Sequence, residues 1–208
     1  MLDLGCGTGR YSGALAKHFR TKVIAIDRSA KMLAEARKKS APRVNHLRAS
    51  GESIPLRDAS VDMVFMSMVF HHFEDQQRAA IECRRILRRD GTVSLRAATV
   101  DRIATYPYVP FFVKSRAILQ ATLQTQARIE SIFRDAGFEL ARHELVQHEV
   151  APNWPAYAEK IAAGADSILA QLSERDFLDG MRLLRQHASS AGDVPVSEVV
   201  DLFAFRRG

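Results

Sequence analysis

Leu2-Asp3-Leu4-Gly5-Cys6-Gly7-Thr8-Gly9 sets three glycines at alternate positions between a short apolar run and a helical stretch. Glycine lets a ligand approach the backbone, and the helix that follows offers unpaired N–H groups at its positive end. The spacing departs from the dinucleotide fingerprint, because the third glycine, Gly9, comes one residue early and Arg10 holds the next place. Asp3 sharpens the difference. A carboxylate beside the loop repels a pyrophosphate and favours the ammonium of an amino-acid moiety, so a zwitterionic ligand fits better. Asp27 ends the next β-branched run, about 20 residues after the loop, where an acid accepts hydrogen bonds from ribose hydroxyls. A helix-capping acid is the competing reading of Asp27, and the glycine loop at this distance favours ribose.

Working outward, strand-like runs alternate with amphipathic helical stretches, the signature of a parallel α/β sheet. Strands are expected at residues 1–4, 22–26, 44–47, 61–66 and 92–98. Between them, Ser29 caps a helix turning Met32, Leu33 and Ala36 inward, and Asp75 caps one burying Ala80, Cys83, Ile86 and Leu87. The pattern breaks over residues 101–125, which include Tyr106-Pro107-Tyr108-Val109-Pro110-Phe111-Phe112. It resumes with a helix over 126–136, Gly137 as its C-cap and a strand over 138–149. A second helical insertion, 154–189, precedes a last strand over 196–206. The expectation is one domain, 1–208, with both insertions forming a cap over the carboxyl edge of the sheet, where ligands sit in doubly wound folds. A dimer interface is the competing role for their aromatics.

The chain has 208 residues, 47% apolar and 26% charged, as in an ordinary globular protein. No apolar run reaches the roughly 20 residues that span a bilayer, and a cytoplasmic location is expected. Cys6 and Cys83 are too few for a disulfide framework and lie in no metal-ligand spacing, so no metal is expected. The formal charge of +6 leaves an anionic partner open, yet Arg37-Lys38-Lys39 and Arg84, Arg85, Arg88 and Arg89 read as solvated helix ends. His143 and His148 read as surface residues.

The glycine loop with Asp3 resembles motif I of class I S-adenosylmethionine-dependent methyltransferases. Ile26-Asp27-Arg28-Ser29 with Met32-Leu33 resembles their second motif. Gly51-Glu52-Ser53-Ile54-Pro55-Leu56, Ser60-Val61-Asp62-Met63-Val64, His71-His72-Phe73-Glu74-Asp75 and Arg85-Ile86-Leu87 continue the likeness to about residue 98, and Ala136-Gly137-Phe138 follows it more loosely. The style is that of the small-molecule branch that includes quinone-biosynthesis C-methyltransferases. The resemblance implies a Rossmann-like, seven-stranded sheet with an antiparallel last strand inserted beside the fifth. It implies S-adenosyl-L-methionine as cofactor, held by Asp3, Gly5, Cys6, Gly7 and Gly9 at the methionine part and by Asp27 at the ribose. Arg28 would lie against the adenine, Gly51 and Glu52 along its edge, and Ser67 and Met68 near the sulfonium. Ser50 stands where the family usually has an acid for the adenine amino group. Arg89-Asp90-Gly91 replaces the family's Pro-Gly-Gly turn, and the helix and half-strand that precede motif I in the family are missing, so a truncated start is expected.

For catalysis, His72 is the candidate base, and His71 and Tyr106 are candidates for contact with the acceptor, packing being the competing reading for each. No Asn-Pro-Pro-Tyr-like segment follows the fourth strand, where Ser67-Met68-Val69-Phe70 stands, and no basic stripe interleaved with aromatics appears. A small organic acceptor is therefore expected over nucleic acid. The alternatives are a catalytically impaired binding or interaction module and, at a distance, a nicotinamide-dependent oxidoreductase.

Overall fold

A computed structural model of the chain describes residues 1–39, 41–164 and 166–208. The apolar runs become parallel strands: Leu2–Leu4 (β1), Val23–Asp27 (β2), Val44–Arg48 (β3), Val61–Ser67 (β4) and Leu87–Ala97 (β5). Helices Ser12–His18 (α1), Ala30–Lys38 (α2) and Gln76–Ile86 (α3) connect them. Phe138–Ala151 (β6) and Val196–Arg207 (β7) complete a seven-stranded sheet of order β3-β2-β1-β4-β5-β7-β6. β7 runs antiparallel beside β5, with Thr92 opposite Arg206 and Ala97 opposite Asp201, as the family likeness implies. The chain leaves β1 toward β3 and then returns to β4 on the other side of β1. The reversal falls between β1 and β4, and in doubly wound sheets ligands bind at the carboxyl ends of the strands that flank such a point.

The chain divides into two compact units. The first comprises Met1–Ala97, Ala127–Glu144 and Asp201–Gly208, and the second Ala98–Gln126 and Leu145–Val200. Both sequence insertions fall in the second. In the first unit, Leu4, Val64, Met66 and Phe203 of the sheet pack with Cys83 and Ile86 of α3 and with Ile132 and Phe133 of Gln126–Asp135 (α5). Phe133 stacks on Phe205 at 4.1 Å. Each such fully buried side chain stabilises the fold by about 1.5–3 kcal/mol, which fixes the helices and, through them, the loops at the strand ends. Local signals set the helix starts. The Ser29 hydroxyl accepts from the Met32 amide and the Asp75 carboxylate from that of Arg78.

The second unit holds Ser115–Thr122 (α4), Trp154–Ala162 (α6) and Glu174–Ala188 (α7). Asn153 and Ser173 cap α6 and α7. Tyr108, Phe112, Tyr157, Met181 and Leu184 are buried in it, and a Cβ on Gly180 would come within 2.3 Å of the Phe112 ring.

Four expectations are corrected. Met32 is exposed, because Leu33 and Ala36 alone fill the narrow buried stripe of α2. β5 starts at Leu87 rather than 92, since Leu87 pairs with Val61 and the register then shifts before Met63 meets Thr92. His143 is no surface residue: its Nε2 lies 2.8 Å from Oδ1 of Asp201, a side chain with 0% exposure, and its ring stacks on Phe203 at 4.6 Å. His148 likewise pairs with Glu198 at 3.2 Å.

The fourth correction concerns Arg85, which is no solvated helix end. Its guanidinium donates to both Glu82 carboxylate oxygens at 2.8 Å, to Asp58 at 2.7 Å, and to the carbonyls of Ile54 and Leu56. Glu82 in turn accepts from the Ile54 amide at 2.9 Å. These bonds fasten residues 54–58 to α3, and hydrogen bonding by Arg85 leads the causes that hold the Glu82 carboxyl below its usual range. Removing one partner of a fully buried ion pair costs about 3–5 kcal/mol. Arg85 keeps 30% of its side chain exposed against 6% for Glu82, so Arg85→Met is expected to cost less, about 2–3 kcal/mol. The urea midpoint checks it, and a midpoint equal to that of the unmodified chain would show that the clamp contributes nothing.

Candidate functional site

The loop after β1 folds back over β2: the amides of Gly5 and Cys6 both donate to the Ile26 carbonyl, at 2.8 and 2.9 Å. Gly5, Gly7 and Gly9 all have positive φ, at 73°, 53° and 75°, but their surroundings differ. A Cβ on Gly5 would lie 2.2 Å from the Val69 side chain, and one on Gly9 3.1 Å from the Ala36 methyl. Those two glycines serve packing inside the protein. A Cβ on Gly7 would meet nothing within 4 Å, so this glycine faces open space.

Two carboxylates flank the loop. Asp27 accepts from the Gly7 amide with one oxygen and from the Ser29 amide with the other, both at 2.8 Å. Asp27 thus holds the residue that caps α2 rather than capping the helix itself, and each carboxylate oxygen has a second lone pair left for a further donor. Asp3 is buried under the loop and accepts from the Ser12 hydroxyl at 2.5 Å. Burial raises its pKa to about 6, the Ser12 hydrogen bond opposing and the Asp27 charge adding to the rise. Burial also pushes the Cys6 thiol up to about 12, helped by the charges of Asp3 and Asp27. A thiol that stays protonated is neither nucleophile nor metal ligand at neutral pH.

Along the same edge, residues 50–52 turn tightly. The Ser50 hydroxyl donates to Glu52 and accepts from the Glu52 amide at 3.1 Å. Burial tends to raise the Glu52 pKa, but hydrogen bonds from Ser50 and from backbone amides outweigh it and hold the carboxyl below the usual range. Gly51 has no room for a side chain, since a Cβ would lie 2.7 Å from the Phe73 ring. Glu52 also accepts from the Glu74 amide at 2.9 Å, and the Glu74 side chain pairs with Arg28 at 2.9 Å. Asp27-Arg28, the 50–52 turn and the 71–75 segment are therefore laced into one rim. Sequence reading assigned these three pieces separately and had no signal for the lacing.

β4 ends at Ser67, and Met68 then takes φ 55°, its amide donating to the Arg96 carbonyl at 2.8 Å. The Ser67 hydroxyl oxygen is buried and has no partner among the described residues. A buried hydroxyl without a partner is uncommon, and a ligand group is one way to satisfy it. His71 and His72 follow on a 3-10 turn, Phe70–His72, with their rings 4.0 Å apart. Burial lowers the His71 pKa to about 4, and His72 adds to this. His72 lies at the surface; desolvation first and the Arg28 charge second lower its pKa, against a raising effect of Asp27. Both shifts favour the neutral ring, His72 being the more accessible base and His71 a weak one.

The structure thus places Asp3, the glycine loop, Asp27, Arg28, Ser50 to Glu52, Ser67, Met68, His71 and His72 in the first unit. Tyr106 belongs to the second, where it is buried and stacks on Tyr108 at 6.0 Å. Among the described residues no group of His, Cys, Asp and Glu could hold a metal ion, and no helix is long and apolar enough to cross a membrane.

Residues 2–95 match the model of a methyltransferase domain family. The chain is 30% identical over 188 residues to malonyl-(acyl-carrier protein) O-methyltransferase of Methylococcus capsulatus, covering 89% of this chain and 63% of that protein. It therefore spans less than two thirds of this relative's length. Among solved structures, a protein of an antibiotic biosynthesis pathway from Anabaena variabilis superposes with a TM-score of 0.74 at 21% identity, over 97% of this chain and 89% of the other. The (4+2)-cyclase SpnF superposes at 0.65 and 19% identity, over 99% of this chain and 74% of its own. At such identities the likeness shows the fold, and a fold hosts more than one chemistry.

Proposed function

We propose that the chain, whose residues 2–95 match a methyltransferase domain family and which resembles the class I S-adenosylmethionine-dependent methyltransferases, transfers a methyl group to a small organic acceptor. The observation that carries this reading is the asymmetry of the glycine loop. Gly5 and Gly9 are filled in by the protein's own side chains, while Gly7 opens onto free space with the Asp27 carboxylate hydrogen-bonded to its amide. That arrangement leaves room for a ligand at the carboxyl edge of the sheet and sets an acceptor of hydrogen bonds beside it.

S-adenosyl-L-methionine, when bound, supplies a methyl group on a sulfonium. Asp3 and the Gly5 to Gly9 loop would hold its amino-acid part, Asp27 its ribose hydroxyls, and Arg28, Ser50, Gly51 and Glu52 the adenine. Ser67 and Met68 at the end of β4 would lie toward the sulfonium, with the buried Ser67 hydroxyl free to accept or donate one bond. The protein's contribution to transfer is alignment and exclusion of water, since in-line displacement gains most from positioning. His72 would take up a proton where the acceptor loses one. His71, with its lowered pKa, is suited to hydrogen bonding as a neutral ring.

Calorimetric titration with S-adenosylhomocysteine tests the reading, and saturable one-to-one binding is expected. Binding of NADH and not of S-adenosylhomocysteine would overturn it, as would binding of neither. The Asp3 pKa adds a pH test. If its carboxylate faces the ligand's ammonium, affinity should weaken as pH falls through about 6, and Asp3→Asn should bind weakly with no such slope. Folding should move in the opposite sense. A carboxyl with a raised folded pKa takes up its proton first in the native state, so its contribution to stability rises as pH drops from above 6 toward the unfolded value of 3.8. Urea midpoints of the parent and Asp3→Asn across that window check this part.

A further inference from the structure

The second unit contains an open cleft of about 480 Å³. Tyr106 and Val196 supply its buried lining, and Phe111, Trp154 and His187 its half-open or exposed lining. The three rings come from three different segments. Phe111 sits in the turn before α4, Trp154 opens α6, and His187 lies in the last turn of α7. Trp154 stands nearly perpendicular to both others, at 85° and 4.5 Å to His187 and at 78° and 5.9 Å to Phe111. Phe111 and His187 are 5.1 Å apart. The Trp154 backbone is pinned by Asn153, whose side chain accepts from the Ala156 amide and donates to Asp193.

Tyr108, Phe112, Tyr157 and Leu184 are the buried core of the unit, and Trp154 packs edge-on against Tyr157 at its margin, leaving the three rings partly open. Three prolines, Pro107, Pro110 and Pro195, stiffen the walls. Among the described residues no Asp, Glu, Lys or Arg lines the cleft, although charged residues make up 26% of the chain. Its polar side chains are the Thr105 and Ser197 hydroxyls, the Tyr106 phenol and the His187 imidazole. Such a lining offers no carboxylate to an amine and no ammonium or guanidinium to a carboxylate or phosphate, and it offers ring edges and faces to a flat apolar body. The volume falls within the range of pockets for drug-sized molecules, about 300–1,000 Å³.

We propose that this cleft is a binding site for a neutral, planar aromatic molecule of two or three fused rings. The ring system lies against Trp154 and Phe111, and a hydroxyl or carbonyl on it reaches the His187 or Ser197 side chain. The site uses none of the glycine-loop residues, which belong to the first unit, and it goes beyond the methyl-transfer reading.

Trp154 is the only tryptophan, so its emission reports on the cleft alone. The test titrates the full chain with 2-naphthol, followed by that emission and by calorimetry. Saturable one-to-one binding with a dissociation constant below about 1 mM is expected for a ligand of this size. The carboxylate analogue, 2-naphthoate, should bind at least about tenfold more weakly because no Lys or Arg of the lining offsets the cost of desolvating its charge. Phe111→Ala, which removes a wall, and Ala104→Phe, which fills the cleft from an exposed lining position, should each weaken 2-naphthol about tenfold and leave S-adenosylhomocysteine affinity unchanged. Absence of saturable binding, equal binding of 2-naphthoate, or full affinity in both variants would overturn the proposal. So would a dimer in solution that shields Trp154 from a soluble quencher. Loss of S-adenosylhomocysteine binding with 2-naphthol binding intact would defeat the methyl-transfer reading and leave this one standing.

Discussion

Gly7→Val is expected to abolish S-adenosylhomocysteine binding while leaving the chain folded. The reason is the space at Gly7, where a Cβ meets no protein atom within 4 Å. A branched side chain there occupies room that only a ligand would otherwise fill. Affinity should fall by about a hundredfold or more, which corresponds to ~2.7 kcal/mol. The substitution also places Val at φ 53°, a left-handed backbone that costs a β-branched residue about 1–3 kcal/mol. Strain and ligand exclusion must be told apart, and Gly192 provides the control. It has φ 72° and equally open surroundings, but it belongs to the second unit. Gly192→Val should lose similar stability in urea and keep its affinity. If Gly7→Val binds as the parent does, or if Gly192→Val loses affinity to the same degree, the open side of the loop is not a ligand site. Gly5→Val is a different case, since Val69 must move before any side chain fits, and its loss should appear first as instability.

The contrast among these glycines also shows where sequence reading ends. The loop and Asp27 were legible because the strand, the loop and the acid follow within one βαβ unit, and local spacing fixes their roles in the fold. Ser29 and Asp75 were legible as caps for the same reason, each bonding an amide three residues on. The parallel α/β class followed from the alternation of elements, whereas the antiparallel last strand beside the fifth followed only from the family resemblance. What could not be read were contacts between distant segments. Nothing in the sequence distinguishes Gly5 from Gly7 until Val69 is placed under one of them. Arg85 looked like a solvated helix end because Asp58 and the Ile54 carbonyl lie 27 and 31 positions away. His143 looked like a surface residue because Asp201, 58 positions on, comes beside it only when β6 and β7 are both in place. Met32 was misread for a simpler reason: helical period selects a face, but the sheet decides how wide a stripe of that face is covered.

Asp27→Ala is expected to lower S-adenosylhomocysteine affinity at least tenfold, because one or two charge-assisted hydrogen bonds to the ribose are lost, each contributing about 1.5–3 kcal/mol. The structure adds a second route to the same loss. Asp27 also holds the Gly7 and Ser29 amides, so the substitution loosens the loop as well as removing the acceptor. A ligand analogue separates the two effects. S-adenosylhomocysteine lacking the ribose 2′-hydroxyl should bind the parent chain more weakly, and Asp27→Ala should discriminate little between the two ligands. That coupling is the quantity a double-mutant cycle isolates. If Asp27→Ala weakens both ligands by the same factor, the carboxylate acts only by shaping the loop. If it weakens neither, Asp27 serves only to hold the Gly7 and Ser29 amides, and the ribose must be sought elsewhere on the rim. Asp27→Asn sharpens the choice further: its amide oxygen can still accept from one backbone N–H but carries no charge. It should therefore preserve the urea midpoint better than Asp27→Ala while losing most of the same affinity.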